Sequence, residues 1–147
     1  IVSAAGVTNE IPAEPAAQGP HWDARHIATV RAGMRDAVNE LDGSGKRAKL
    51  DGLVVAAKTG TAEYGVKGSG RKMTWMIAFA PFDEPRYAVA LLVEDGVSGG
   101  TTAAPRVKQL LTRTFNEVEG LGLSPVPAPD APPPPGPEAP APEEEPA

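Results

Sequence analysis

Apolar residues at helical spacing follow Asp23, whose short carboxylate side chain suits an N-cap. They recur every three or four residues, which is the period of an amphipathic helix. Gly43 follows as a natural helix stop. The pattern therefore predicts a helix that begins at Asp23, ends by Gly43 and packs through one apolar stripe. That stripe consists of Ile27, Val30, Met34, Ala37 or Val38, and Leu41.

Three runs without a helical period come next, and they predict strands at 52–58, 73–80 and 87–94. The glycine-rich link between the first two runs and the proline-flanked turn between the last two are both of hairpin length, which favours antiparallel pairing. Trp75 and Ile77 lie in the second run, and we assign both side chains to the core.

A second helical stripe follows the glycine-rich loop 96–100 and predicts a helix from about 103 to 118, with Pro105 in its first turn. The order of helix, three strands and helix predicts an α/β (α+β) fold class, a mostly antiparallel sheet with flanking helices. The apolar stripe of this helix consists of Val107, Leu110, Leu111, Phe115 and Val118.

Composition divides the chain near residue 121. Residues 121–147 hold 11 of the 17 prolines, five acidic side chains and no basic ones. Such a segment cannot bury enough apolar surface to offset the cost of ordering it. We therefore predict a folded part, 1–120, and a disordered tail, 121–147. The folded part carries 14 basic and 14 acidic side chains, so it has no basic excess that would indicate nucleic-acid binding.

Other classes of site find little support in the sequence. There are no cysteines, so thiolate metal sites are excluded, and His21 and His26 have no evident third ligand. We predict no metal and no organic cofactor. No apolar run reaches the roughly 18–20 residues that span a membrane. The chain begins at Ile1, and we interpret it as the C-terminal part of a longer protein.

The tetrapeptide Lys58-Thr59-Gly60-Thr61 closes the first predicted strand. A cation, two hydroxyls and a glycine at the end of a buried strand are poorly explained by packing. They suit the binding of an anion, and Gly60 lacks the Cβ that would hinder the approach of another backbone.

This tetrapeptide resembles the Lys-Thr-Gly box of penicillin-binding proteins and serine β-lactamases. The runs at 74–81 and 87–96 resemble the strand pair that follows the box in class B (monofunctional) penicillin-binding proteins. Residues 99–105 and 30–35 resemble parts of the neighbouring helices. The resemblance covers about residues 25–118, is nearest to the elongation-type transpeptidases, and implies the C-terminal part of a transpeptidase domain.

The resemblance also implies roles for the four residues of the box. Lys58 would favour anionic forms in the site and help to move a proton during acylation. Thr59 and Thr61 would hold the carboxylate of a stem peptide or of a β-lactam, and the Thr61 N–H would be one oxyanion donor. Gly60 would let the substrate backbone lie antiparallel along the strand. We take Lys58 and Thr61 as catalytic, and Thr59, Gly60 and Thr61 as substrate-binding.

The family also needs a nucleophilic Ser-x-x-Lys and a Ser-x-Asn upstream of the box. No Ser-x-Asn occurs, and the one Ser-x-x-Lys, from Ser69 to Lys72, follows the box in a glycine-rich loop. We interpret that match as accidental. The nucleophile is then expected outside this chain, and the chain by itself is expected to be inactive.

The function implied by the resemblance is peptidoglycan crosslinking by a serine D,D-transpeptidase. Its partners would be stem peptides, β-lactams, the rest of the parent protein and cell-wall elongation proteins, without nucleic acid and without membrane contact by this segment. The domain would be periplasmic, with any membrane anchor outside this chain. A serine β-lactamase and a non-catalytic penicillin-recognising sensor remain the alternatives.

Overall fold

The computed structural model describes residues 22–66 and 68–126 and confirms the predicted fold class. An antiparallel three-stranded sheet is flanked by helices. A short 3₁₀ turn at Lys46–Ala48 precedes the sheet, and a π-helical turn at Gly99–Ala103 leads into the last helix. The main elements are α1 (Ala24–Asn39), β1 (Ala56–Glu63), β2 (Lys72–Ala80), β3 (Tyr87–Glu94) and α2 (Ala104–Glu119).

The strands follow one another in the sheet in chain order, so β2 is central and β1 and β3 are its edges among the described residues. In the register, Gly60 of β1 lies opposite Trp75 of β2, and Ile77 of β2 lies opposite Ala90 of β3. The hairpin-length links that the sequence contains allow only this antiparallel arrangement of consecutive strands.

Strand β1 begins four residues later than predicted and continues to Glu63. The tetrapeptide therefore lies in the middle of the strand and not at its end. Pairing with β2 is the reason, because Thr61 lies opposite Thr74 and Glu63 opposite Lys72. A paired neighbour extends a strand beyond the apolar run that identifies it, since the ladder bonds use the backbone and not the side chains.

One face of the sheet, the inner face, carries the core. The inner-facing residues of β2 pack against α2 and against Val38 of α1. The predicted burial of Trp75 and Ile77 is wrong, because their side chains are 37% and 49% exposed on the opposite, outer face. Strand residues alternate between faces, and here the even-numbered residues of β2 from Thr74 onward point inward. Those residues are Thr74, Met76, Ala78 and Ala80.

Helix α1 begins as predicted, with the Asp23 carboxylate accepting the backbone N–H of Arg25 at 2.8 Å. It ends at Asn39 and not at Gly43. The predicted stripe is only partly correct, because Val38 alone in this helix is buried. The side chains of Ile27, Val30 and Leu41 are exposed, so no described residue covers most of the stripe.

Helix α2 follows the prediction closely, although Leu110 and Val118 of its stripe are exposed. Gly120 ends the helix in the left-handed conformation, with φ of 67°, which glycine adopts without strain.

Residues 121–126 have no regular structure. Leu123 nevertheless packs against the core, and its N–H donates to Asn116 Oδ1 at 2.6 Å. The segment predicted as a disordered tail therefore contacts the folded part at Leu123, and residues 127–147 lie outside the described ones.

The two faces of the sheet should differ in their sensitivity to truncation. Phe115 is 1% exposed and meets the Tyr87 ring edge-on at 5.2 Å. Phe115→Ala should lower the free energy of unfolding by about 3–5 kcal/mol. Ile77→Ala, on the outer face, should cost less than about 1 kcal/mol. Urea denaturation of the chain measures both values, and equal losses would contradict the assignment of faces.

Candidate functional site

The four residues of the box divide between the two faces of β1. Thr59 and Thr61 line one groove, together with the segment 42–47 and the turn 98–101. Lys58 is absent from that lining and lies opposite Ile77, whose side chain is on the outer face. Of the three polar side chains of the box, the two threonines therefore share the groove and Lys58 does not. The reason is the two-residue period of a strand.

The groove is open and has a volume of about 380 Å³. Two hydrogen bonds connect β1 to the groove walls. Ser44 Oγ lies 3.1 Å from Thr59 Oγ1, and the N–H of Gly99 donates to Thr61 Oγ1 at 3.2 Å. Hydroxyls thus line both walls, an arrangement suited to hydrogen-bonding an oxyanion. The full lining is Asp42, Gly43, Ser44, Lys46, Arg47, Thr59, Thr61, Ser98, Gly99, Gly100 and Thr101.

Two glycines of the π-helical turn bring these walls together. A Cβ on Gly99 would lie 2.7 Å from the Trp75 carbonyl oxygen and 2.8 Å from that of Gly60. A Cβ on Gly100 would lie 2.3 Å from the carbonyl oxygen of Ser44. All three distances are shorter than van der Waals contact, and backbone atoms cannot rotate away. The groove therefore keeps its width only with glycine at these two positions.

Gly60 has a reason for being glycine that the sequence interpretation missed. A Cβ on Gly60 would lie 1.9 Å from Nε1 of Trp75, so the indole occupies the space that a side chain would fill. Because Trp75 covers that face of β1, the glycine serves the packing of the indole. The role of Gly60 in the approach of a substrate backbone stays a prediction.

Lys58 is exposed on the outer face of β1. Its Nζ donates to the carbonyl oxygen of Thr59 at 2.7 Å, and no acidic group of residues 22–66 and 68–126 forms an ion pair with it. A cation in this situation is available to an anionic group that approaches the outer face.

A polar cluster closes the end of the sheet beyond the groove. Arg71 makes two hydrogen bonds to the Asp95 carboxylate, both of 2.9 Å, and the Tyr64 hydroxyl donates to Asp95 Oδ1 at 3.0 Å. The Arg71 guanidinium also lies 4.6 Å from the centre of the Tyr64 ring. The hydrogen bonds from Arg71 hold the pKa of Asp95 below its ordinary value, and burial raises the pKa of Tyr64.

This cluster ties three elements together. Tyr64 follows β1, Arg71 precedes β2, and Asp95 follows β3 with a left-handed φ of 54°. Asp95 thereby fixes the start of the loop that ends at Gly99 in the groove wall. The predicted third strand ends at 94, the next loop begins at 96, and no role is predicted for Asp95. An Asp-Gly pair after a strand was the available signal, but its partners are distant in sequence.

Two other groups from the sequence analysis take no part in the site. Ser69 lies in the link between β1 and β2, and its Oγ donates to the carbonyl oxygen of Tyr64 at 3.2 Å. His26 is exposed on α1, and His21 lies outside the described residues. Within the part of the chain that the structure describes, no cluster of His, Asp and Glu is suited to a metal, and no helix is long and apolar enough to span a membrane.

Comparison with protein families gives a match to the penicillin binding protein transpeptidase domain over residues 6–112. This range contains the whole of the groove and the box. The chain belongs to the penicillin-binding-protein transpeptidase family. Its relatives are of the PBP2-like class B type, which confirms the resemblance drawn from the box and its flanking strands.

Individual relatives cover different parts of the chain. Peptidoglycan D,D-transpeptidase PbpA of Mycolicibacterium smegmatis is 44% identical over 78 residues, which are 49% of this chain and 16% of that protein. The structure of Pseudomonas aeruginosa PBP2 in complex with WCK 5153 aligns with a TM-score of 0.56 and 31% identity, over 67% of this chain and 21% of that one.

A complex of penicillin-binding protein PBP2 with MreC from Helicobacter pylori also aligns, with a TM-score of 0.54 and 31% identity, over 66% of this chain and 18% of that one. The chain thus spans about 16% of the length of PbpA and about a fifth of these solved chains.

A double-mutant cycle tests the packing of Trp75 on Gly60. Gly60→Ala should lower the free energy of unfolding by about 1–3 kcal/mol, because the new methyl group displaces the indole. In the Trp75→Ala background the same substitution should cost less than about 1 kcal/mol. Chemical denaturation of the four proteins measures the coupling. Equal costs in both backgrounds would show that Gly60 is required for another reason.

The Asp95 cluster predicts a pH dependence of stability. The folded-state pKa of Asp95 is below its ordinary value of 3.8. The stability that its charge contributes is therefore complete above pH 3.8, and it is lost as the pH falls through the folded-state pKa. Asp95→Asn should therefore be less stable than the wild type at pH 7, and the two stability curves should converge in strong acid.

The matched control is Asp51→Asn, which removes an exposed carboxylate that has no ion-pair partner among the described residues. Its stability should follow that of the wild type at every pH. Thermal unfolding between pH 2 and pH 7 makes the measurement. A constant difference between wild type and Asp95→Asn down to pH 2 would contradict the role of the Asp95 charge.

Proposed function

We propose that the protein containing this chain is a peptidoglycan D,D-transpeptidase that crosslinks stem peptides through a serine acyl-enzyme. The observation that carries the proposal is the groove beside edge strand β1, in which Thr59 and Thr61 present hydroxyls within a box typical of the family. β-Lactams would acylate the same serine. An edge strand also offers an unpaired backbone, along which an extended peptide can lie.

The chemistry needs a stabilised oxyanion and a bound carboxylate. The serine oxygen attacks the penultimate D-Ala carbonyl, the tetrahedral intermediate expels D-Ala as an amine that takes up a proton, and the amine of a second stem then displaces the serine. Thr59 and Thr61 would hold the terminal carboxylate by their hydroxyls. The Thr61 N–H would be one donor to the oxyanion, whose stabilisation is commonly the largest contribution to such catalysis.

Lys58 would act from the other face of the same strand. Its ammonium group lies on the outer face, where Trp75, Ile77 and Leu92 are exposed. We propose that the rest of the transpeptidase domain covers this apolar face and brings the nucleophile to Lys58. The charge of Lys58 would then favour the anionic species that form during acylation, and would assist the proton transfer from the serine.

The alternatives differ in a measurable property. A serine β-lactamase would hydrolyse its acyl-enzyme rapidly, and a sensor domain would bind penicillin without crosslinking peptides. The match to class B transpeptidases supports crosslinking over both.

We place the domain in the periplasm, anchored by a segment outside this chain. Elongation partners are proposed by analogy with the PBP2–MreC complex of Helicobacter pylori.

Substitution of Lys58 tests the proposal in the intact protein. Lys58→Ala should slow acylation by a fluorescent penicillin by about 10²–10³-fold, because one preorganised electrostatic partner is lost. The thermal midpoint should stay close to that of the wild type, since the side chain is exposed and its removal leaves no cavity. An unchanged acylation rate, or rapid release of the label by the wild type, would contradict the transpeptidase assignment.

The 147-residue chain by itself should not be labelled by penicillin, because its one Ser-x-x-Lys uses the Ser69 hydroxyl in a local hydrogen bond. Mass spectrometry after incubation with benzylpenicillin makes the test. Stoichiometric acylation at Ser69 would overturn the proposal that the nucleophile lies elsewhere in the protein.

A further inference from the structure

We infer that Arg47, assisted by Lys46, forms a cationic arm of the groove that selects ligands by a free carboxylate. The inference rests on the proposed function, because it concerns the substrate of the same groove. It gives a binding role to the wall formed by the segment 42–47, since Arg47 and Lys46 lie in the 3₁₀ turn before β1 and not in the box.

Charge is the first observation that supports this arm. The groove lining contains two cations and one carboxylate, that of Asp42. Arg47 is exposed, and over residues 22–66 and 68–126 it makes no side-chain hydrogen bond or ion pair. Lys46 is partly engaged, with its Nζ donating to the Leu41 carbonyl oxygen at 2.9 Å. The guanidinium of Arg47 is therefore the cation that is available to a ligand.

The backbone that carries these cations is held in place. The Gly45 N–H donates to the Ala37 carbonyl oxygen at 2.8 Å, and the Ala48 N–H donates to that of Gly45 at 2.8 Å. Ala48 is fully buried. A Cβ on Gly45 would lie 2.9 Å from the Met76 methyl group, so this segment sits directly on the core. A fixed backbone reduces the ordering that a cation needs before it can bind.

The neighbouring hydroxyls identify the chemical class of the ligand. Ser44 precedes the two cations in sequence and contacts Thr59 in space, with 3.1 Å between the two hydroxyl oxygens. Hydroxyl donors in the same groove as a guanidinium suit a planar oxyanion, which arginine binds through two parallel hydrogen bonds. The lining has a formal excess of one positive charge, which matches a monoanion. A carboxylate, such as the C-terminal group of a D-alanyl-D-alanine peptide, fits this description.

The test compares the binding of a carboxylate ligand with that of its uncharged amide analogue, in the protein that contains this chain. N-acetyl-D-alanyl-D-alanine and its C-terminal amide are titrated by NMR into the wild type, Arg47→Ala and Lys46→Ala. Arg47→Ala should weaken binding of the carboxylate about 5- to 10-fold, as expected for one well-placed ion pair near the surface. Lys46→Ala should have a smaller effect, and affinity for the amide should change less than about 2-fold.

Lys49→Ala is the matched control. It removes the same charge from the end of the same turn, but Lys49 does not line the groove and its Nζ lies 3.5 Å from the Asn39 carbonyl oxygen. Carboxylate affinity should be unchanged in this variant. The effect of Arg47→Ala should also shrink in about 0.5 M NaCl, because salt screens exposed charges.

Three results would overturn the inference. These are equal loss of affinity for carboxylate and amide, no loss in Arg47→Ala, and a loss in Lys49→Ala as large as that in Arg47→Ala. Penicillin labelling of the wild type separates this inference from the proposed function. A protein that prefers the carboxylate through Arg47 but is never acylated would contradict the transpeptidase proposal and support the arm. A labelled protein without that preference would contradict the arm alone.

Discussion

The close approach of Gly99 to the backbone of β1 is the contact on which the groove depends. The π-helical turn meets Gly60 on the inner face, while the Trp75 indole meets it on the outer face, so the strand is held from both sides at one residue. The Gly99 N–H then reaches the Thr61 hydroxyl, and Gly100 reaches the backbone of Ser44. Two glycines thus connect strand β1 with both walls of the groove.

Because a strand alternates its side chains, the box serves two surfaces at once. Thr59 and Thr61 belong to the groove, whereas Lys58 and Gly60 belong to the outer face beneath Trp75. A site built on an edge strand can therefore place hydroxyls on one side of a bound peptide and a cation on the other. For acyl transfer, this division would separate recognition of the carboxylate from stabilisation of the reacting anions.

The distribution of apolar surface agrees with a chain that works within a larger protein. The inner face of the sheet has a dense core, whereas the outer face exposes Trp75, Ile77 and Leu92, and α1 exposes Ile27 and Val30. Exposed apolar side chains in such numbers are typical of surfaces that another element covers. The relatives, of whose length the chain spans about 16%, have the additional residues to do so.

The sequence by itself determined the order of elements, the N-cap at Asp23, the antiparallel sheet and the family, because periodicity, caps and the Lys-Thr-Gly box are local features. It also predicted Thr59 and Thr61 as site residues, and the structure places both in one groove. These features depend on neighbours in the chain, so that a short window of sequence is sufficient to recognise them.

Only the tertiary structure decided which face of each strand is buried, and the predictions for Trp75 and Ile77 were wrong for that reason. The period of an alternating apolar run is the same whichever face is inward, and both faces of β2 are apolar. The cluster of Tyr64, Arg71 and Asp95 and the contact of Ser44 with Thr59 were likewise beyond the sequence. Each joins residues from different elements, and the packing of the sheet and turns alone brings them within hydrogen-bonding distance.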